Sequence, residues 1–424
     1  MKQTSLQGIA NKATQDKTYR FRNLFGLLTT GYLFWCWDSI NRKAIAGIDG
    51  LDAQAYEENL LPNIEQLVKQ LKTNTYKAKL VLRKYIPKTD GKLRPLGIPV
   101  IADKLLQRSV AKILEAIYEQ DFLCCSYGYR PGIGALKAVK DLSSELKSKK
   151  YHSVVEADIK SFFTHINHDL LLEMLAKRID DKRFLNLIQK WLKAGIMETD
   201  GQVSHPVTGT PQGGVVSPIL ANIYLHHVLD EWFENTVRNH CRGQIYLCRY
   251  ADDFVCAFEN ANDAKRFYKA LKQRLKRYGL QVAEDKTHII EFSHCKTRNK
   301  ARFNFLSFEY RWGVNTWGKP ILKRRTSREK LGESLANFKV WIKKYCRLPK
   351  DTLFKKLNRK LLGYYNYYGV QGNYKSLNSF DYRVWQLLYK WLNRRSQRKS
   401  YNIEGFKALV NDFGIARPRI CHDF

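Results

Sequence analysis

Arg249-Tyr-Ala-Asp-Asp-Phe254 sets two adjacent carboxylates between two runs rich in aromatic and β-branched residues, 246–250 and 254–258. Such runs read as strands. Ala251-Asp252-Asp253 reads as the tight turn of a hairpin, because Asp tolerates turn geometry. Asp252 and Asp253 are then expected at an exposed tip, where two negative charges can share a divalent cation. An isolated Asp-Asp pair is more often a solvated turn, so the rest of the chain has to decide. Residues 151–158 form a second expected strand, with Val154 and Val155 inside it and Asp158 at its end. If the two strands are neighbours in one sheet, Asp158, Asp252 and Asp253 converge on two Mg²⁺ ions about 3.5–4 Å apart. Mg²⁺ prefers hard oxygen ligands and leaves room for water and phosphate oxygens, with Mn²⁺ as a substitute. Glu156 is set aside, on the expectation that it points to the opposite face of its strand.

The chain has 424 residues, 44% of them apolar, which is enough for two or three domains with real cores. Its 73 Lys and Arg against 40 Asp and Glu leave a formal charge of +33. With 24 Tyr, 21 Phe and 9 Trp interleaved, that excess points to nucleic acid, through phosphate contacts and packing on bases or sugars. An anionic membrane is the competing partner. It is set aside because the longest apolar stretch, residues 25–37, is too short to span a bilayer and reads as a buried helix. The nine cysteines are scattered without a C-x-x-C pair, so neither a zinc ribbon nor a disulfide frame is indicated. The expectation is a reduced, cytoplasmic protein with Cys124-Cys125 packed inside.

Residues 1–50 read as a mostly helical N-terminal extension. A helix is expected over 52–71, followed by a hairpin, 80–87 and 93–99, around Lys88-Thr-Asp-Gly-Lys92. Lys88 and Arg94 flank its turn, where a mobile finger can fold their charges over the β- and γ-phosphates of a triphosphate. Asn167 is placed to cap a helix. Gly209-Thr-Pro-Gln-Gly-Gly214 is a loop whose glycines permit close backbone approach to a ligand, and Gln212 is its candidate contact. A helix is expected from Pro218 to Phe233. From Lys319 the texture changes, with fifteen Lys or Arg over residues 319–360 against three acids. Thr326-Ser-Arg-Glu329 reads as a capping box opening a helix that carries Leu331, Leu335, Phe338 and Ile342. The result is a helical module, apolar inside and basic outside. Arg324, Arg325, Arg328, Lys339, Lys343, Lys344, Lys355 and Lys356 are its candidate phosphate contacts.

The ordered blocks Asp158 with Phe162-Phe163, Gly209-Thr-Pro-Gln-Gly-Gly-Val-Val-Ser-Pro-Ile-Leu-Ala-Asn222 and Tyr250-Ala-Asp-Asp253 resemble reverse transcriptases. Ile86-Pro-Lys88, Arg94-Pro-Leu-Gly-Ile-Pro99 and Ser126-Tyr-Gly-Tyr-Arg-Pro-Gly132 resemble the bacterial group II intron reverse transcriptase/maturase pattern, over nearly the whole chain. That resemblance implies an α+β right-hand polymerase around an RNA template–DNA primer duplex. Its parts would be helical-rich fingers (51–150), an antiparallel-sheet palm (151–315, with a finger insertion at 169–205) and a helical thumb, or maturase region (316–424). It implies Asp158, Asp252 and Asp253 as metal ligands, Lys88 and Arg94 on the triphosphate, and Gln212 in the nucleotide pocket. Phe163 would lie against C2′ of the sugar, leaving no room for a 2′-hydroxyl. Lys286, in Glu284-Asp-Lys-Thr287, is the candidate proton donor to pyrophosphate. Deoxynucleoside triphosphates, group II intron RNA and target DNA are the implied partners, in a nucleoid-associated bacterial setting.

Three departures stand out. Ser307 replaces the usual Gly, which is expected to shift only local packing; Lys104 stands where Arg is common; and no Cys-rich endonuclease module follows the thumb. The leading reading is an RNA-directed DNA polymerase that also binds its intron RNA to assist splicing and mobility. The alternatives are a free-standing group-II-like enzyme used in DNA repair or phage defence, and a maturase acting only by binding RNA.

Overall fold

The central strands are buried along nearly their whole length because both faces of their sheet are covered. The structure is a computed structural model, and it describes residues 2–87, 91, 93–210, 213–296, 301–394 and 400–424. In chain order the strands are β1 (Val81–Pro87), β2 (Leu93–Ile98), β3 (Ser153–Asp158), β4 (Ile196–Met197), β5 (Val203–Ser204) and β6 (Ile245–Tyr250). They continue with β7 (Asp253–Phe258), β8 (His288–Glu291), β9 (Arg302–Phe305), β10 (Phe308–Val314) and β11 (Pro320–Thr326). Three sheets result, ordered β2-β1-β4-β5, β6-β7-β3-β8 and β11-β10-β9.

In the central sheet every pairing is antiparallel. Val155, Ala157, Leu247, Phe254, Cys256 and Phe258 join one core, with the helices Ile101–Tyr118, Ser217–Leu225 and Ala261–Arg277. Val154, Cys248, Val255 and Ala257 join a second core, with the helix Ala135–Lys147, the β9–β11 sheet and the C-terminal helices. The long hairpin of β1 and β2 gains β4 as a parallel neighbour and β5 beyond it. Residues 196–204 therefore return to complete the sheet begun at residue 81. The N-terminal helix Lys2–Gln15 is tied down through Arg178, whose guanidinium donates to the carbonyls of Asp16 and Tyr19, both at 3.0 Å.

Several expected elements differ, each for a local reason. The apolar stretch at 25–37 is not one helix. A 3₁₀ turn, Phe25–Leu27, precedes the helix Thr30–Trp37, which Thr29 caps. The helix expected over 52–71 breaks at Asn59 into Ala53–Glu58 and Leu60–Lys72, because the ring of Pro62 would clash with the carbonyl four residues before it. The capping residue at 326–329 is Ser327, whose side chain accepts from the amide of Lys330. Thr326 is still in β11, where it exchanges hydrogen bonds with Asn373. The basic module begins with a strand, so residues 320–326 alternate inward and outward. Arg324 accordingly points inward, to Ser143 Oγ at 2.9 Å and to the carbonyl of Phe424. Cys124 is exposed rather than packed, and all nine cysteines are free.

Ser307 has a backbone consequence beyond packing. Leu306 and Ser307 form the two-residue turn between β9 and β10, with φ of +49° and +70°. A left-handed φ at both positions favours glycine, which accounts for the strain a serine introduces there.

Candidate active site

The register of β3 against β7 sets Asp158 directly opposite Asp253, and Asp253 also pairs with Tyr250 across the hairpin. The turn is therefore only Ala251 and Asp252, and Asp253 is the first residue of a strand. Ala251 takes φ +57°. The loop at Ser126–Arg130 lies alongside, and Gly128 is required there, since a Cβ on it would stand 2.4 Å from the amide nitrogen of Ala251. Asp252 and Asp253 are thus half-buried, not at an exposed tip. Together with Asp158 they line a cleft of about 1110 Å³, whose walls include Arg94, Phe163 and Lys286.

Glu156 belongs to the same constellation. Residues two apart on a strand share a face, so Glu156 and Asp158 both look into the cleft, and the expectation that Glu156 faces away is corrected. Burial pushes Glu156 up to about 7. Asp253 is pushed up to about 8 by burial first, and then by the charges of Asp158, Glu156 and Asp252. Asp252 is raised too, by burial and by Asp158, against the pull of Arg94 and Lys286. Lys286 Nζ lies 2.9 Å from Asp158 Oδ2, and that bond raises its own affinity for its proton. The cleft concentrates more negative charge than its bonded lysine can offset. Hard carboxylate oxygens at that density suit divalent cations such as Mg²⁺.

Arg249 holds the hairpin from behind. It is completely buried, and all five of its N–H donors are used. Nε and Nη2 donate to the two oxygens of Asp230 at 2.7 and 2.5 Å, and Nη2 also donates to Ser126 Oγ at 2.6 Å. Nη1 donates to Asn222 Oδ1 and to the carbonyl of Ala251, both at 3.1 Å. A charged residue at the centre of an apolar strand is the signal that would have found it, since such a group is buried only when paired.

Phe162 and Phe163 divide their tasks. Both line the cleft and join the core; Phe162, the deeper of the two, packs toward Tyr224, whereas Phe163 meets Tyr129 edge-on at 6.3 Å. Tyr129 is half-exposed and held at φ +60°, a conformation uncommon for a bulky residue and frequent at working sites. Lys88 and Gln212 lie outside the described residues. Thr210, two residues earlier in the same loop, lies close to Phe163, its amide donating to the carbonyl of Phe163 at 2.8 Å.

The basic candidates separate into two groups. Arg324 is buried, and Arg325 grips the buried Glu309, with Nε 2.8 Å from Oε1; neither presents a free charge, which corrects the expectation that they contact phosphate. Arg328, Lys339, Lys343, Lys344, Lys355 and Lys356 are exposed. Lys344 and Lys356, from successive helices, both lie over the ring of Tyr345, at 5.5 and 5.6 Å.

The family model for reverse transcriptase (RNA-dependent DNA polymerase) matches residues 86–310, the span that holds the whole cleft. The chain belongs to the reverse transcriptases. A second model, the group II intron maturase-specific domain, matches residues 334–407 of this reverse transcriptase. Protein YkfC of Escherichia coli (strain K12) is 35% identical to it over 281 residues, covering 58% of this chain and 73% of that protein. Group II intron-encoded protein LtrA of Lactococcus lactis subsp. cremoris is 29% identical over 441 residues, covering 83% and 71%. Nuclear intron maturase 3, mitochondrial, of Arabidopsis thaliana is 24% identical over 204 residues, covering 42% and 28%. The reverse transcriptase is an RNA-directed DNA polymerase with a maturase region, consistent with a role in intron splicing and mobility, and its family works with divalent metal ions. No helix among the described residues is long and apolar enough to cross a membrane.

Proposed function

We propose that this reverse transcriptase copies RNA from a DNA primer at the cleft of Asp158, Asp252 and Asp253, and that it binds a group II intron RNA through its maturase region. The pairing of Asp158 with Asp253 across β3 and β7, with Asp252 in the adjoining turn, carries the reading. Two Mg²⁺ ions held there would activate the primer 3′-hydroxyl and neutralise charge on the leaving pyrophosphate. The residues divide the remaining work. Arg94, exposed on β2 at the cleft rim, draws the triphosphate in, a task we also assign to Lys88. Phe163 closes the cleft at the sugar, and we assign Gln212 a contact with the nucleotide. Lys286, charged and bonded to Asp158, stands ready to give a proton to pyrophosphate. We assign the fingers to 51–150 and to 169–205, the palm to the rest of 151–315, and the thumb to 316–424. Its exposed lysines on successive helices meet the phosphates of intron RNA or of the template–primer duplex.

Asp252→Asn tests this. Mg²⁺-dependent primer extension on an RNA template should disappear, while binding of a structured RNA stays near wild type. Full-rate synthesis by the variant would overturn the site assignment.

A further inference from the structure

The helix that opens at Ser217 runs on to His240 and contains two π-helical turns, His226–Asp230 and Phe233–Val237. In an α-helix, residues five apart point about 140° away from each other. A π turn is wider, and it brings residues four and five apart over the same partner. Here that turn aims two imidazoles at one carboxylate. His227 Nδ1 lies 2.6 Å from Glu231 Oε2, and His226 Nε2 lies 3.5 Å from Glu231 Oε1. One donor atom from each of the three lies within 4.8 Å of the other two. The remaining ring nitrogens, His226 Nδ1 and His227 Nε2, are buried without a hydrogen-bond partner. Hydrogen bonding therefore does not satisfy this pair of rings as it satisfies Arg249.

We propose that His226, His227 and Glu231 form a zinc site, distinct from the carboxylate cleft. Two imidazoles and one carboxylate are a zinc ligand set, and the fourth position of the tetrahedron takes water. Mg²⁺ favours an all-oxygen shell, so the two sites select different metals. The fourth position has access, because His227 and Glu231 line a cavity of about 480 Å³. Burial pushes His226 down to about 4, leaving its ring neutral at neutral pH. The cations lining that cavity are Lys177, Arg274 and Arg277. The guanidinium of Arg274 is committed to the carbonyls of Val228 and His227, both at 3.0 Å. On binding, the proton that His227 Nδ1 shares with Glu231 moves to Nε2 of the same ring, so the imidazole ligates in its neutral form. The metal would also brace the polymerase platform, since Asp230 ends the same π turn and holds Arg249, which in turn holds the carbonyl of Ala251.

The test uses the full chain, stripped with chelator, dialysed, and titrated with zinc chloride while magnesium is held in large excess. One zinc per chain should bind, measured by calorimetry and by elemental analysis after gel filtration. Glu231→Gln and His227→Gln should each lower zinc affinity by about tenfold to a hundredfold. Both side chains are partly exposed, so the fold survives, which thermal melting without zinc checks. Cys295→Ser controls for zinc held by the exposed Cys295–His294 pair and should bind as wild type. Absence of stoichiometric zinc, wild-type affinity in Glu231→Gln, or loss of affinity in Cys295→Ser would each overturn the site. Zinc binding is read directly, so its failure leaves the polymerase assignment untouched.

Discussion

Replacing Asp230 by Asn would strand the guanidinium of Arg249 in a fully buried site, with a neutral amide where its counter-charge had been. Arg249 and Asp230 are both 0% exposed in their side chains, so water cannot take the place of the lost charge. Breaking one partner of such a pair costs about 3–5 kcal/mol. Against a total stability on the order of 5–15 kcal/mol, Asp230→Asn alone should remove a large fraction of what holds the protein folded. Arg249→Met should cost a similar amount, because it leaves the Asp230 carboxylate buried and bare. The double variant Asp230→Asn/Arg249→Met removes both charges. It leaves Asn222, Ser126 and the Ala251 carbonyl without their donor, at about 1–3 kcal/mol for each acceptor that stays dry, and should still cost well under the sum of the two single losses. Urea denaturation of the four proteins at 25 °C gives the cycle, provided the slope of free energy against denaturant stays constant. Additive losses, or a single variant that loses less than about 1 kcal/mol, would refute the claim that this pair holds the hairpin. Primer extension by the double variant supplies a second readout. It should fall even where the protein is folded, since the turn carrying Asp252 has lost its tether.

Phe163→Val should admit ribonucleotides, relaxing sugar discrimination by about 10–200-fold; unchanged selectivity in single-nucleotide incorporation would place the gate elsewhere. Glu156→Gln bears on pH. The glutamate is pushed up to about 7 from an ordinary 4.5, so the folded state holds its proton more tightly than the unfolded chain. Its stabilising contribution is complete below pH 4.5 and is lost as pH rises through 7. The neutral glutamine escapes that loss, so the metal-free variant should match wild type near pH 4 and exceed it above pH 7. The gain is bounded by about 3 kcal/mol and reduced at this half-buried position to about 1–2. Equal melting differences at both pH values would contradict the cause.

The hairpin and its acids were legible because strand-forming runs on both sides of Ala251 and Asp252 leave the chain few other conformations. The proximity of Asp158 also followed, since acids at the ends of short apolar strands have few places to go but a shared sheet edge. Exposure was misjudged, because a turn looks solvated in one dimension while the cover from Gly128 and Tyr129 comes from a loop more than a hundred residues earlier. Glu156 is legible in the chain, since its two-residue spacing from Asp158 sets both on one face of the strand. Arg324 shows a deeper limit. A run of basic residues suggests an outer surface, and only the pairing of β11 with β10 reveals that every second one faces in. The π turns at His226–Asp230 had no local signal either, for nothing in His226-His-Val-Leu-Asp230 differs from an ordinary helix until its neighbours are known.

The double covering of the central sheet has a consequence for how this enzyme can change. Val154, Glu156 and Asp158 share one side of β3, and Val155 and Ala157 the other. One added or deleted residue in β3 or β7 would exchange the two sides over the whole strand. Both hydrophobic cores and the acid cluster would be scrambled in a single step. Length is therefore frozen in these strands while side chains at the rim remain free to vary, so adaptation to new templates is channelled into substitution around the cleft and into the peripheral loops.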